Sequence, residues 1–370
     1  MSSMTLALLD TDPYFGEMLS AYIRGSAFAD RFLLKRFTTK EEGLRYMQEE
    51  GGARILLVHD SWLPLPEEVF GSPQGAVVLL SETAAAGGIL EYPVLCKYQP
   101  LDRLMGAISS HYNEYSTGKP LLGRRGTRSV VLHSAVGGAG KTVTAFHTAR
   151  LLALRGERVL LLNLERYPSL PWFAEEAGDT AESFSRLLYY AKSNAAGVAG
   201  KLEGLVRRHA YGKFDYVPPS VHPQEMEELA PEHALKLVEG MVAAGLYDTL
   251  IIDTDSYAPK LAGALLGAAD EILWLVTDDL VQLHKTSRLL KSLQGSDAPR
   301  SAWMPKVRFV LNRSTGQIWN SWEAYGLKVH AFLPYVPEWK AVSRIEQLQH
   351  APAFEDAAGG LLGAQGGGAG

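Results

Sequence analysis

Two α/β domains, each built on a parallel sheet, are what this 370-residue chain predicts. Three observations carry that reading. Short apolar runs alternate with longer helical patterns over about 1–113, and again over about 128–350. Between them "NEYSTGKPLLGRRGTR" (113–128) mixes Gly, Pro, Ser and a basic cluster with little periodicity, as a linker does. One apolar run, "SVVLHS" (129–134), passes through a glycine-rich turn into a helical pattern. Hydrophobic residues make up 46% of the chain and charged residues 21%, which supports a sizeable buried core.

In the first region "TLALLD" (5–10), "RFLLKRF" (31–37), "RILLVHD" (54–60), "AVVLLS" (76–81) and "YPVLCK" (92–97) are buried-strand candidates. Helical patterns follow the first, second and fifth. The stretches 61–75 and 82–92 look short or Gly/Pro-broken for full crossover helices. Strands alternating with helices imply right-handed crossovers and a sheet covered on both faces. In the second region the candidates are "SVVLHS" (129–134), "RVLLLNL" (158–164), "FDYVPP" (214–219), "TLIIDTD" (249–255), "EILWLVT" (271–277), "VRFVLNR" (307–313) and "KVHAFLP" (328–334). A helix follows Lys141, with Val143, Phe146, Ala149 and Leu152 near helical spacing and Gly156 as its stop. "WKAVSRIEQL" (339–348) is expected to be a core-packing helix. The domains are therefore drawn at 1–113 and 128–350, with 114–127 as linker. The glycine-rich tail, 351–370, is expected to lack fixed structure.

The formal charge of −5 argues against nucleic acid as the main partner, because phosphate binding needs surplus Lys and Arg. The linker arginines Arg124, Arg125 and Arg128 are read as solvated charges. One cysteine, Cys96, permits no intrachain disulfide and suits a reducing cytoplasm. The start lacks a basic n-region and a long apolar run, so no signal peptide is expected. No stretch of about 18 apolar residues predicts a membrane span. The histidines show no metal-binding spacing, and Trp303, Trp319, Trp322 and Trp339 are expected in core or interface packing.

The chemistry concentrates in "HSAVGGAGKTVTA" (133–145). Gly137, Gly138 and Gly140 let the backbone curl so that successive N–H groups turn inward, and Ala139 completes the loop. The helix that begins at Lys141 brings its positive N-terminal end, through Thr142 and Val143. Lys141 reaches terminal phosphates and Thr142 suits Mg²⁺. The loop departs from the ordinary G-x-x-x-x-G-K-[ST] pattern at Ala135, where glycine is usual.

"VGGAGKT" resembles the deviant phosphate loop K-G-G-x-G-K-[ST] of the MinD/ParA family of ATPases, which lacks that first glycine. The family's leading lysine reaches across a dimer to the partner's nucleotide, and Val136 stands there. "GERVLLLNLERYPS" resembles the family's G-x-x-V-L-L-I-D-x-D: Asn163 replaces the first Asp, and Glu165 takes the second, which positions the attacking water. "YDTLIIDTDS" resembles Y-D-x-I-I-I-D-T-P-P, so Asp253 is implied as the Mg²⁺ carboxylate and Asp255 falls on a proline. "RFVLNR" implies Asn312 near the adenine, and "HAFLPYVPEW" implies Pro334 beside the base. The resemblance implies a doubly wound P-loop NTPase domain, ATP and Mg²⁺ as cofactors, Lys141 and Glu165 as catalytic residues, and a homodimer.

The first region resembles a response-regulator receiver, a flavodoxin-like parallel-sheet domain. "ILLVHDSWLP" matches the acceptor pattern at Asp60, "CKYQPLDRLMGAI" gives Lys97 as the phosphoryl-pairing lysine, Ser81 ends the fourth strand, and "LLDTDPYFGEML" keeps Asp10 with Thr11 in place of the second acid. Losing that acid weakens Mg²⁺ binding. Asp12 is a substitute that strand alternation would turn elsewhere. An atypical receiver serving as an interaction module is expected, with phosphorylation at Asp60 left open. The fusion of the two domains, together with "FDYVPPSVHPQEMEELAPEHALKLVEGMVAAGLYDTLIIDTDS", resembles the CpaE/TadZ branch. That branch implies an ATP-binding localisation factor for a Flp-type pilus or related secretion machine, working at the inner face of the membrane or a cell pole through partners. Weak or absent hydrolysis is expected without the second lysine. A nucleotide-independent scaffold and a DNA-partition ATPase remain as alternatives.

Overall fold

The computed structural model describes residues 4–48, 54–64, 75–83, 92–115, 121–123, 125–168, 182–193, 195–220, 222–256, 258–293 and 300–362. They fall into two compact units, Met1–Gly123 with Gly200–Gly204, and Arg124–Ala199 with Leu205–Gly370. The segments 65–74 and 84–91, where crossover helices were expected to be short or broken, lie outside the described residues.

The first unit holds β1 (Met4–Leu9), α1 (Pro13–Arg24), β2 (Phe32–Phe37), α2 (Lys40–Gln48), β3 (Arg54–His59), β4 (Gly75–Ser81), β5 (Val94–Cys96) and α3 (Leu101–Tyr115). Its sheet runs β2-β1-β3-β4-β5 with every pairing parallel. α1 and α2 cross from β1 to β2 and from β2 to β3 and bring the chain back to the same end of the sheet, as parallel pairing requires. On one face Leu6, Leu8, Ile55, Leu57, Val78 and Leu80 pack with Phe15, Leu19 and Ile108; on the other, Ala7, Leu9, Leu56, Val58 and Leu79 pack with Trp62. Alternate residues of one strand thus reach opposite faces, and both are covered.

The second unit holds β6 (Arg128–His133), α4 (Lys141–Leu154), β7 (Val159–Leu164), α5 (Ser183–Ser193), α6 (Ala195–Leu205, of which Gly200–Gly204 group with the first unit), β8 (Arg207–Arg208), β9 (Asp215–Tyr216), α7 (Pro223–Glu227), α8 (Pro231–Ala243), β10 (Thr249–Thr254), α9 (Pro259–Ala268), β11 (Glu271–Thr277), α10 (Leu280–Ser292), α11 (Arg300–Trp303), β12 (Val307–Ser314), β13 (Val329–Pro334) and α12 (Pro352–Gly359). The strand order is β13-β12-β11-β6-β10-β7-β9-β8, parallel except for β8, which pairs antiparallel with β9 at one edge. β6 lies in the middle, between β11 and β10. Its C-terminal end is where doubly wound sheets take ligands.

The C-terminal expectations are corrected. Residues 339–348 form no continuous helix. Pro337–Ala341 and Ile345–Leu348 are separate 3₁₀ turns, because the Gln347 side chain accepts from the backbone N–H of Ser343 and Arg344 at 2.9 Å each and holds that stretch out of a helix. The tail from 351 is not structureless over its first part. α12 packs Phe354 and Ala358 into the core beside α4, and Leu361 and Leu362 are buried with them. Its glycines hid an apolar face. Residues 363–370 lie outside the described residues.

The tryptophans divide. Trp303 and Trp322 are buried, and Trp339 stacks against His147 and meets Phe354 at a tilt, as packing residues do. Trp319 is 76% exposed, against the packing expected of it.

Candidate nucleotide site

β6 is buried along nearly its whole length, and the chain leaves it at Ser134 into the loop before α4. Gly138 and Gly140 have φ of +72° and +91°. Both lie in the left-handed region that glycine enters without cost. A Cβ on Gly137 or Gly138 would meet nothing within 4 Å, whereas one on Gly140 would stand 2.3 Å from Asn312 Nδ2. The loop is open at its crown and tightly backed at its base. Ala139 is fully buried, and Val143 packs against the same core, so each offers only its backbone to a ligand. Val136 likewise packs against that core. Its carbonyl accepts a hydrogen bond from Ser256 Oγ at 3.0 Å.

Lys141 is the first residue of α4 and is buried. Its ammonium donates to Ser256 Oγ at 2.8 Å. Asp253 lies inside β10, paired in register with Leu132 of β6 and Asn163 of β7, so the sheet itself brings these positions together. Burial pushes the Asp253 carboxyl up to about 8; the negative charges of Glu165 and Asp255 add to the rise, while a hydrogen bond from Thr142 and the Lys141 ammonium oppose it. Asn163 Nδ2 donates to Asp253 Oδ2 at 3.2 Å, and Asn163 Oδ1 accepts the Glu165 N–H at 2.8 Å. The Asn163 carboxamide therefore ties the Glu165 backbone to Asp253. Asp253 Oδ1 is buried and has no hydrogen-bond partner among the described residues. An orphaned buried oxygen needs an explanation, and coordination of a cation would supply one.

Asn312 ends the buried run of β12, and its Nδ2 donates to Ala139 O at 2.7 Å. It sits directly beneath the phosphate loop. Pro334 closes β13 in register with Ser314 of β12, so it shares the strand-end edge with Asn312. The structure thus gathers Gly137, Gly138, Ala139, Gly140, Lys141, Thr142, Val143, Asp253, Asn312 and Glu165 around one loop.

Three neighbours escaped the sequence reading. His133 is fully buried; burial drives its pKa down to about 3, and the Lys141 charge pushes the same way. Its Nδ1 pairs with Thr254 Oγ1 at 2.9 Å, and its ring meets Trp274 edge-on. Ser256 stands three residues past Asp253. Arg313 directly follows Asn312, and its guanidinium donates to Gly138 O at 2.9 Å. The only available signals were the polar ends of "DTDS" and "LNR", which name residues but not contacts.

The second candidate cluster crowns the first unit's sheet. Lys97 Nζ lies 3.3 Å from Asp10 Oδ2, 3.4 Å from Asp12 Oδ2 and 3.6 Å from Glu82 Oε1. Asp12 does face the cluster, against the expectation from strand alternation. It has left the strand, and it caps α1 by accepting the Tyr14 and Phe15 N–H groups. The Phe15 N–H above all, with Lys97 and the Tyr14 N–H, holds its carboxyl below the usual range although burial works to raise it. Burial is the largest single effect on Lys97 and works to lower its pKa, but the charge and hydrogen bond of Asp10, with Tyr98 and Asp12, together outweigh it and the net shift is upward. Among the described residues Lys97 pairs with these three acids, while Asp60 stands 3.4 Å from His59 Nδ1. Ser81 is buried and accepts the Thr83 N–H. Among the described residues no group of three or more His, Cys, Asp or Glu is arranged to hold a metal ion, either here or at Asp253. In the first unit one internal ammonium, Lys97, sits among three acids and offsets part of their charge. At Asp253 the oxygens gathered are one carboxylate and one threonine hydroxyl, the hard-donor set from which Mg²⁺ takes one or two protein ligands, leaving the rest to phosphate and water.

Comparison with known proteins bears on the second unit. The family model for the CobQ/CobB/MinD/ParA nucleotide binding domain matches residues 130–348. A candidate replication protein A of Rhizobium rhizogenes is 28% identical over 214 residues, 51% of this chain and 52% of that protein, so the match spans about half the length of this curated relative. A ParA family ATPase from Chlorobium tepidum TLS aligns with 63% of this chain and 96% of its own at a TM-score of 0.51 and 19% identity. The septum site-determining protein MinD of Pyrococcus horikoshii OT3, solved with Mg-ADP, covers 63% of this chain and 93% of its own at a TM-score of 0.47 and 17% identity.

Proposed function

Because the chain belongs to the CobQ/CobB/MinD/ParA nucleotide-binding family, we propose that its second unit binds Mg·ATP and that binding governs dimer formation by a localisation or assembly factor. The observation that carries the reading is the meeting of Lys141, Thr142 and the orphaned Asp253 oxygen at one glycine-rich loop. Lys141 would leave Ser256 for the terminal phosphates. Thr142 and Asp253 would hold Mg²⁺, with Asp253 giving up its proton as the metal arrives. Mg²⁺ supplies charge neutralisation between the phosphates. Glu165, tied through its backbone to Asn163, would orient the attacking water, one methylene further out than the aspartate it replaces. Val136 packs into the core and sends no cation toward a partner's site, so hydrolysis should be weak or absent.

The machine served is proposed as a Flp-type pilus or related secretion apparatus, reached at the membrane's inner face or a cell pole through partner proteins. The support is the union of a receiver-like sheet of order β2-β1-β3-β4-β5 with this nucleotide domain. No helix among the described residues is long and apolar enough to cross a membrane. Within the first unit, Lys97 bound to Asp10 and Asp12 favours an interaction module over phosphotransfer at Asp60. A nucleotide-independent scaffold is the second reading, favoured by Asn163 replacing a family acid and bonding to Asp253. Sedimentation with and without Mg·ATP separates the two. A nucleotide-dependent dimer supports the switch, and the same mass under both conditions supports the scaffold.

A further inference from the structure

Three side chains take hold of the phosphate loop by its carbonyl oxygens. Ser256 Oγ donates to Val136 O at 3.0 Å, the Arg313 guanidinium to Gly138 O at 2.9 Å, and Asn312 Nδ2 to Ala139 O at 2.7 Å. In a trans peptide the carbonyl of one residue and the N–H of the next point in opposite directions. The cis bond among the described residues is Leu63–Pro64, so the loop peptides are trans. Each held carbonyl therefore fixes one N–H: those of Gly137, Ala139 and Gly140, each aimed away from the side chain that holds its peptide.

Arg313 accepts a backbone cost to do this. Its φ is +58°, and only it and Lys213 among the described non-glycine residues lie in the left-handed region. Strain of this kind persists where contacts over-determine it. Here the Arg313 N–H donates to Asn312 Oδ1 at 2.8 Å while its guanidinium reaches Gly138. Asn312 and Arg313 thus hold two successive peptides from neighbouring positions.

Ser256 does two things with one hydroxyl. Its single hydrogen goes to Val136 O, and an oxygen lone pair accepts from Lys141 Nζ. A phosphate that takes Lys141 away leaves the bond to Val136 intact. The loop would stay held while the ammonium changes partner.

We propose that Ser256 and Arg313 are positioning residues that hold the phosphate loop in its nucleotide-binding form from outside, Ser256 also parking Lys141 until phosphate takes it. This rests on the nucleotide reading above. The test uses the full chain and the variants Ser256→Ala, Arg313→Gly, Arg313→Lys and the Ser256→Ala/Arg313→Gly pair. Arg313→Gly suits the left-handed backbone, so it removes the guanidinium without adding strain. By calorimetry, Ser256→Ala and Arg313→Gly should each weaken Mg·ADP about tenfold, with the melting temperature held. Arg313→Lys should recover part of the loss, and added guanidinium should restore Arg313→Gly. In nucleotide-free protein, ¹⁵N relaxation should show Gly137, Ala139 and Gly140 ordered in wild type and loosened in the double variant. Unchanged affinity in both single variants, or equal loop order in the double variant and wild type, overturns the proposal. A wild type that binds no Mg·ADP overturns the nucleotide reading instead, and the relaxation comparison still decides the positioning role.

Discussion

Lys97 is buried among Asp10, Asp12 and Glu82, with 2% of its side chain exposed. Replacing it with methionine leaves the buried Asp10 carboxylate without its cation. Lys97→Met should destabilise the chain by about 3 kcal/mol, read from denaturant unfolding; a loss below 1 kcal/mol, within the range of a surface pair, would deny the buried pairing. His133 gives a pH signature. Its folded pKa of about 3 lies below the unfolded 6.5, so between those values the unfolded chain binds more protons. Its contribution is full above pH 6.5 and is lost as pH falls toward 3. Unfolding free energies of wild type and His133→Gln should therefore converge in that window with a slope difference of about one proton; parallel curves would contradict it. The sequence disclosed Lys141, Thr142 and Asp253 because a local pattern dictates their chemistry. It did not disclose Ser256 or Arg313 as loop contacts, since their partners lie 120 and 175 residues away and only the fold joins them.

Among the elements, α4 and α12 depend on each other. The fully buried Phe354 side chain packs against the core that α4 shares, so Phe354→Ala should cost about 3–5 kcal/mol, measured by urea unfolding. A cost below 1 kcal/mol would mean that α12 is not part of this core. At the other end of α4, Gly140→Ala forces a Cβ to 2.3 Å from Asn312 Nδ2 at a φ of +91°. Nucleotide affinity should fall more than about tenfold, because both backbone and neighbour must shift. Most of the strands were legible because short apolar runs bounded by polar residues suit buried parallel sheets. α4 was legible through its glycine loop and Gly156, whose φ is +92°. α12 was not: Phe354, Ala358, Leu361 and Leu362 form a face only once α4 stands opposite. The 339–348 helix failed for the converse reason, because Gln347 bonding backward to Ser343 and Arg344 is a local competitor that periodicity does not see.

Taken whole, the molecule joins a sheet whose acids already hold an internal lysine to a sheet whose central loop suits phosphates. If Val136 is what quiets hydrolysis, Val136→Lys should raise ATP turnover over wild type in a phosphate-release assay, and Lys141→Ala should abolish it in that background. The central claim is that the second unit holds Mg·ATP through Lys141. Isothermal titration of the full chain with Mg and a slowly hydrolysed ATP analogue tests it most directly. Saturable binding at a single class of site in wild type, lost in Lys141→Ala while the variant keeps its fold by circular dichroism, is the result expected. No binding by wild type, or equal binding by folded Lys141→Ala, would contradict it.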